Sequence, residues 1–126
     1  MPMTVNWDDA EQTIIMATIS DPMTWDAFND GVDEVIRLAE SVPHRVDVIS
    51  NAGATPMPPG SPLPHLRRAF QSLPRNVGLA VSVITNVFAR IMSLVVGQTY
   101  FGSRFKVVES LEAARETIER ARVKTA

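Results

Sequence analysis

The chain of 126 residues contains no cysteine, which excludes disulfides, thiolate nucleophiles and cysteine metal sites. Histidine is almost as scarce. His44 and His65 are the only two, and neither belongs to a closely spaced carboxylate–histidine motif, so no metal site is expected. No G-x-S-x-G elbow, phosphate-binding loop or carboxylate dyad is present, which points to a non-enzymatic protein without a cofactor. Twelve basic residues against fourteen acidic ones leave a net charge of −2. No basic stripe interleaved with aromatics occurs, and this excludes nucleic acid as a partner. The opening MPMTVNWDDAEQ lacks a basic region followed by an apolar run, so it does not read as a secretory signal. Together with the missing cysteines this gives the expectation of a cytoplasmic protein. Residues 77–97 approach membrane-spanning length, but Thr85-Asn86 interrupts them with a helix-capping signal and Arg90 would lie near the bilayer centre. The expected reading there is strand, turn, helix, with no transmembrane segment.

What is present is the composition of one folded domain over residues 1–126, with 45% hydrophobic and 21% charged residues. Thr4 to Trp7 and Thr13 to Ile19 read as strands joined into a hairpin by an Asp8-Asp9 turn. Thr24 or a neighbour caps a helix to about Val42, with Trp25, Phe28, Val32, Val35, Ile36 and Ala39 on one face. Residues 44–51 form a strand. A loop crowded with prolines then leads from Pro62 into a helix carrying Leu63, Leu66, Phe70 and Leu73 on its apolar side. Residues 78–84 read as a strand covered on both faces. A third helix runs from Asn86 to about Gln98, a last strand spans 104–108, and Ser110 caps a final helix. The order β-β-α-β-α-β-α-β-α predicts an α/β fold with a mostly parallel central sheet, an N-terminal hairpin and four helices. The strands at 44–51, 78–84 and 104–108 are expected to be parallel neighbours, with Val81 and Val83 in the central one.

Four local patterns carry a resemblance over essentially the whole chain: Val5 with Trp7, the helix start Thr24-Trp25-Asp26 with Phe28, His44 to Ile49, and Leu66 to Ala69. With the element order, they make the chain similar to the STAS domains of bacterial anti-sigma-factor antagonists. It resembles more closely the SpoIIAA-like proteins, whose fold is also compared with CRAL-TRIO lipid-binding domains. The STAS resemblance implies a regulatory module working through protein contacts. It also implies a phosphorylated serine at the start of the helix after the third strand, and Ser61 falls at about that position. Gly60 stands where the family has aspartate, and prolines stand at positions the family leaves open.

Two readings of Ser61 follow. As a helix cap, its hydroxyl accepts from a free amide of the first turn, with Pro62 at the first helical position and the prolines at 56, 58, 59, 62 and 64 fixing the approach. As a switch, its phosphate would sit on the same helix N-terminus. Asp47, His65 and Arg67 are polar candidates near the loop; Asp47, inside an apolar strand, is expected to pair with Arg45 or Arg104. In the third helix Val87, Phe88, Ile91, Met92, Leu94, Val95 and Val96 cover roughly twice the ~100° that a one-sided helix needs. Either neighbouring loops and Tyr100-Phe101 cover the surplus, or Phe88, Ile91, Met92, Val95 and Val96 face a second copy, a protein partner, an apolar ligand or a membrane surface. The functional expectation is a non-enzymatic regulatory or interaction module, with a carrier or sensor of a small apolar molecule or lipid as the alternative.

Overall fold

A computed structural model describes residues 2–125. Two strands open the chain, β1 (Met3–Trp7) and β2 (Ile14–Ile19), paired antiparallel. Their turn is organised by Asp9. Its carboxylate accepts from the amides of Thr13 and Ile14, each at 2.9 Å, and from the Thr13 hydroxyl. Partial burial opposes the charge on Asp9, yet these donors and the nearby Arg122 hold its carboxyl below the ordinary aspartate range.

Helix α1 (Trp25–Glu40) follows, with the Thr24 hydroxyl accepting from the Ala27 amide at 3.1 Å, the N-cap read from the sequence. It stops two residues short of Val42. Then come β3 (Val46–Gly53), α2 (Leu63–Ser72), β4 (Val77–Ile84), α3 (Val87–Phe101), a short 3₁₀ turn, β5 (Phe105–Val108) and α4 (Leu111–Thr125). Asn86 caps α3 and Ser110 caps α4, each through an amide about one turn on.

The sheet order is β1-β2-β3-β4-β5, and all pairs after the hairpin are parallel. The expected parallel neighbours are therefore neighbours. Of these three, β4 lies between β3 and β5, with Val81 and Val83 buried in it as expected; the middle of the whole five-stranded sheet is β3. Because each new parallel strand is added on the same side of the last, right-handed crossovers place every connecting helix on one face. Helices α1, α2 and α3 pack there around Val35, Leu38, Val48, Ala80 and Phe105. Helix α4 alone covers the other face, packing Ala114 and Ile118 on Ile49, Leu79, Val81 and Val83.

Of the two register shifts in the β3–β4 ladder, the one near its start positions a buried carboxylate. Val46 pairs with Val77 but Val48 pairs with Ala80, so β4 holds an extra residue there. The bulge leaves the Leu79 amide pointing at Asp47, whose carboxylate accepts it at 2.7 Å. Arg45 lies across Gly78, where a β-carbon would come within 2.1 Å of its guanidinium. A side chain at 78 would displace it.

A second glycine fixes the height of α3. At Gly97 a β-carbon would meet the Phe105 ring at 2.3 Å. An exposed mid-helix glycine replaced by alanine gains about 0.5–1 kcal/mol, whereas forcing atoms into a packed core costs about 1–3 kcal/mol. The clash wins here. Gly97→Ala is expected to lower the urea midpoint with an unchanged m-value; a raised midpoint would mean that the Phe105 ring yields freely.

Candidate functional site

The face under three helices encloses a partly open cavity of about 140 Å³. Its floor is the sheet: Val48, Ser50 and Ala52 of β3, and Ala80, Ser82 and Ile84 of β4. Ser50 and Ser82 are register partners on adjacent strands. Helix α1 contributes Trp25, Phe28, Val32 and Val35; α2 contributes Leu66, Ala69 and Phe70; α3 contributes Ala89 and Ser93. The loop from Thr55 to Pro58 lines the cavity as well. Pro56 and Pro58 stiffen that segment, and Met57 packs on Trp25, Leu66 and Val96. The proline-rich stretch is thus part of a wall. None of the lining residues carries a charge.

Trp25 is the most informative wall residue. Its indole Nε1 is buried and, among the described residues, is the side-chain nitrogen or oxygen left without a hydrogen-bond partner. Such groups are nearly always paired. The ring is held by His65, stacked at 4.6 Å between centroids with 9° between planes, and by Phe28 edge-on at 5.3 Å. Gly60, with φ of +105°, passes beside the indole, its missing β-carbon 3.7 Å away. His65 itself accepts at Nδ1 from the Asn29 side-chain amide at 3.1 Å, and Asn29 Oδ1 accepts from Arg68. His65 is therefore half-buried support for Trp25. Arg67 is exposed and outside the cavity.

Ser61 does not cap α2. The capping position is Pro62, and no side chain accepts a hydrogen bond from the first turn. The helix begins one residue later than expected, so Ser61 precedes the cap, exposed, and Leu63 turns out to solvent as well. A phosphate there would find few donors, since Pro64 at the second position has no amide and Leu66 already bonds Pro62. The phospho-switch gains nothing from this geometry.

Asp47 is not near the loop. It lies near the start of β3, while the loop follows the strand's far end, roughly 20 Å away at ~3.3 Å per residue. With 0% exposure it accepts from Arg45 at 3.0 Å and from Arg122 of α4 at 3.0 Å, besides the Leu79 amide. Arg104, the other expected partner, instead bonds the Val77 carbonyl and lies 4.0 Å over the Phe101 ring.

Helix α3 is inside out. Its buried positions are Ala89, Ser93, Val96, Gly97 and Phe101, mostly small, because the cavity and the Phe105 ring occupy the space beneath. The bulky side chains point away: Val87, Phe88, Ile91 and Val95 are 72, 57, 56 and 61% exposed. Of the residues expected on the surplus face, Val96 is buried and Met92 half-buried against the Trp25–Leu66 cluster. Tyr100 and Phe101 leave the rest uncovered. Sequence reading missed Ser50, Ser82 and Ser93; the available signal was three lone hydroxyls at inward positions of otherwise apolar elements.

Among the described residues, no group of histidine and carboxylate side chains could hold a metal ion, and no helix is long and apolar enough to cross a membrane. Comparison of the chain with protein-family models, curated proteins and solved structures finds no match.

Two substitutions separate the structural roles. Asp47→Ala leaves two arginines and one amide without their shared acceptor and is expected to cost about 3–5 kcal/mol, read from urea unfolding. The partners' partial exposure favours the lower end. Ser61→Ala removes no hydrogen bond and should change stability by less than about 0.5 kcal/mol; a larger loss would restore the capping role.

Proposed function

We propose that this chain is a non-enzymatic carrier or sensor that holds one small, neutral, largely apolar molecule in the cavity beneath α1, α2 and α3. The observation that carries this is the buried, unpartnered indole N–H of Trp25 in the wall of an otherwise apolar pocket. Leaving such a donor unsatisfied costs about 1–3 kcal/mol. A ligand oxygen accepting from it removes that cost, and the hydroxyls of Ser50, Ser82 and Ser93 offer further polar contacts.

The wall also limits the ligand. A charged group inside it would be buried without a counter-charge, which is strongly unfavourable. An apolar cavity of about 150 Å³ accommodates benzene, so about 140 Å³ suits a ring or short chain of that scale, not a whole lipid. A neutral molecule bearing a carbonyl, ether or hydroxyl oxygen meets both limits. The absence of titratable side chains from the wall supports binding over chemistry. The α/β layout agrees with the STAS-like and SpoIIAA-like resemblance, which stays part of this proposal, as does its regulatory implication. The protein-contact form of that role has less behind it, since neither Ser61 nor Arg67 borders a shaped recess.

The indole is its own reporter. In a Trp7→Phe background Trp25 is the only tryptophan, and small cyclic ketones and phenols are expected to quench or shift its emission saturably. Ser82→Leu, which fills the floor, should weaken binding at least about tenfold, while Trp25→Phe, which deletes the donor, should weaken it several-fold, as one hydrogen bond is worth. Native mass spectrometry of gently purified protein is expected to show a neutral adduct. No adduct, together with a flat titration across such compounds, would sink the reading.

A further inference from the structure

The outward face of α3 poses a separate question, independent of what the cavity holds. Val87, Phe88, Ile91 and Val95 are each more than half exposed and lie within an arc of about 100° on the 15-residue helix. No charged residue falls inside that arc. Leu63, exposed on the packed neighbour α2, adds to it, and Arg67 follows one turn later. Arg90 stands on the opposite flank of α3, 3.8 Å from Glu109.

The surrounding charge is uneven. Residues 48–108 contain six basic side chains and no acidic one, whereas the rest of the chain holds six basic and all fourteen acidic residues. A segment of charge +6 and a remainder of −8 make up the net −2. Both helices that border the exposed arc belong to the positive segment. The acidic residues lie on other elements, such as α1 and α4. Asp33 nevertheless pairs with Arg68 and Glu109 approaches Arg90, which leaves Arg67, among the described residues, as the cation of these two helices in no ion pair.

We propose that the exposed face of α3, with Leu63 and Arg67 of α2, seats this protein on an anionic membrane surface. A convex helix bearing a narrow apolar arc between cations matches a flat interface, where apolar side chains enter the headgroup boundary and cations meet lipid phosphates. A second copy fits less well. A twofold interface would bring the same positive flanks together, and five half-exposed side chains offer on the order of 500 Å², below the ~800 Å² per partner of a stable dimer. The attachment is peripheral, because no described helix can span a bilayer.

The test uses the full chain with vesicles of phosphatidylcholine, with or without phosphatidylglycerol. Flotation is expected with the phosphatidylglycerol vesicles and not with phosphatidylcholine alone, declining as salt screens the charges. Ile91→Glu should lower partitioning at least about tenfold, and the pair Arg67→Gln with Arg90→Gln several-fold. All three positions are exposed, so the melting temperatures should match wild type; thermal melts verify this. Equal binding to both vesicle types, or binding that survives Ile91→Glu, overturns the proposal. So does a wild-type dimer in sedimentation that Ile91→Glu dissociates, or an acidic protein partner lost with Ile91→Glu where vesicles do not bind.

Discussion

The carboxylate of Asp47 is the point on which the two layers of this fold meet. Fully buried, it accepts from Arg45 just before its own strand, from the Leu79 amide freed by the bulge in β4, and from Arg122 on α4. Arg122 also donates to the hydroxyl and carbonyl of Thr13, whose hydroxyl in turn donates to Asp9. One acceptor thus connects the hairpin turn, the middle strand, its neighbour and the lone helix of the opposite face. Such a group is expensive to bury and more expensive to strip of partners. Its partners come from three separate segments, so it specifies how they meet: a slip of β4 by one residue would turn every side chain over and point the Leu79 amide elsewhere.

Strand order explains the division of labour between the faces. Each successive parallel strand extends the sheet in one direction, so three crossover helices compete for one face. The sheet surface they share is only about five strands wide, roughly 24 Å at ~4.8 Å per strand, while three helices at 8–10 Å spacing occupy about that width. Close approach is then needed at the edge, over β5, and Gly97 against Phe105 provides it. Small residues on the underside of α3 follow from the same demand. With those positions taken, the bulky residues of this apolar helix face outward, and the helix borders the cavity on one side and solvent on the other.

Elements with strong local determinants are legible in the sequence alone. The hairpin, α1 with its Thr24 cap, the buried run of β4 and the capped α4 all declare themselves through spacing and capping chemistry, and the α/β architecture with parallel strands follows from their order. What was illegible depended on tertiary geometry. Ser61 misled because Ser-Pro reads equally well as cap plus first residue or as a pre-cap serine with proline at the cap. Periodicity assigns a helix a face but not a direction, so an all-round apolar helix such as α3 gave no means of telling Met92 and Val96 from Phe88 and Ile91. Asp47 advertises a buried pair, and the nearby Arg45 is indeed one partner, but the second, Arg122, lies 75 positions away, where no local pattern points. The cavity had no local signal beyond serines in apolar strands.

Those serines bear on why the cavity persists. At Ser50 and Ser82, paired across β3 and β4, a valine in each place would fit the strands better and fill much of the void. Filling a methyl-sized gap is worth about 1 kcal/mol, and pairing or replacing the Trp25 indole would recover about as much again. Against a total stability of 5–15 kcal/mol typical of domains, these are large sums to leave uncollected. A chain optimised for packing alone would have closed this space. Instead the wall is reinforced: His65 stacks on Trp25, Asn29 holds His65, and Arg68 holds Asn29 in turn, with Asp33 anchoring Arg68. Four side chains ordered behind an unsatisfied donor accord with the proposed ligand, for which a fixed indole orientation lowers the cost of binding.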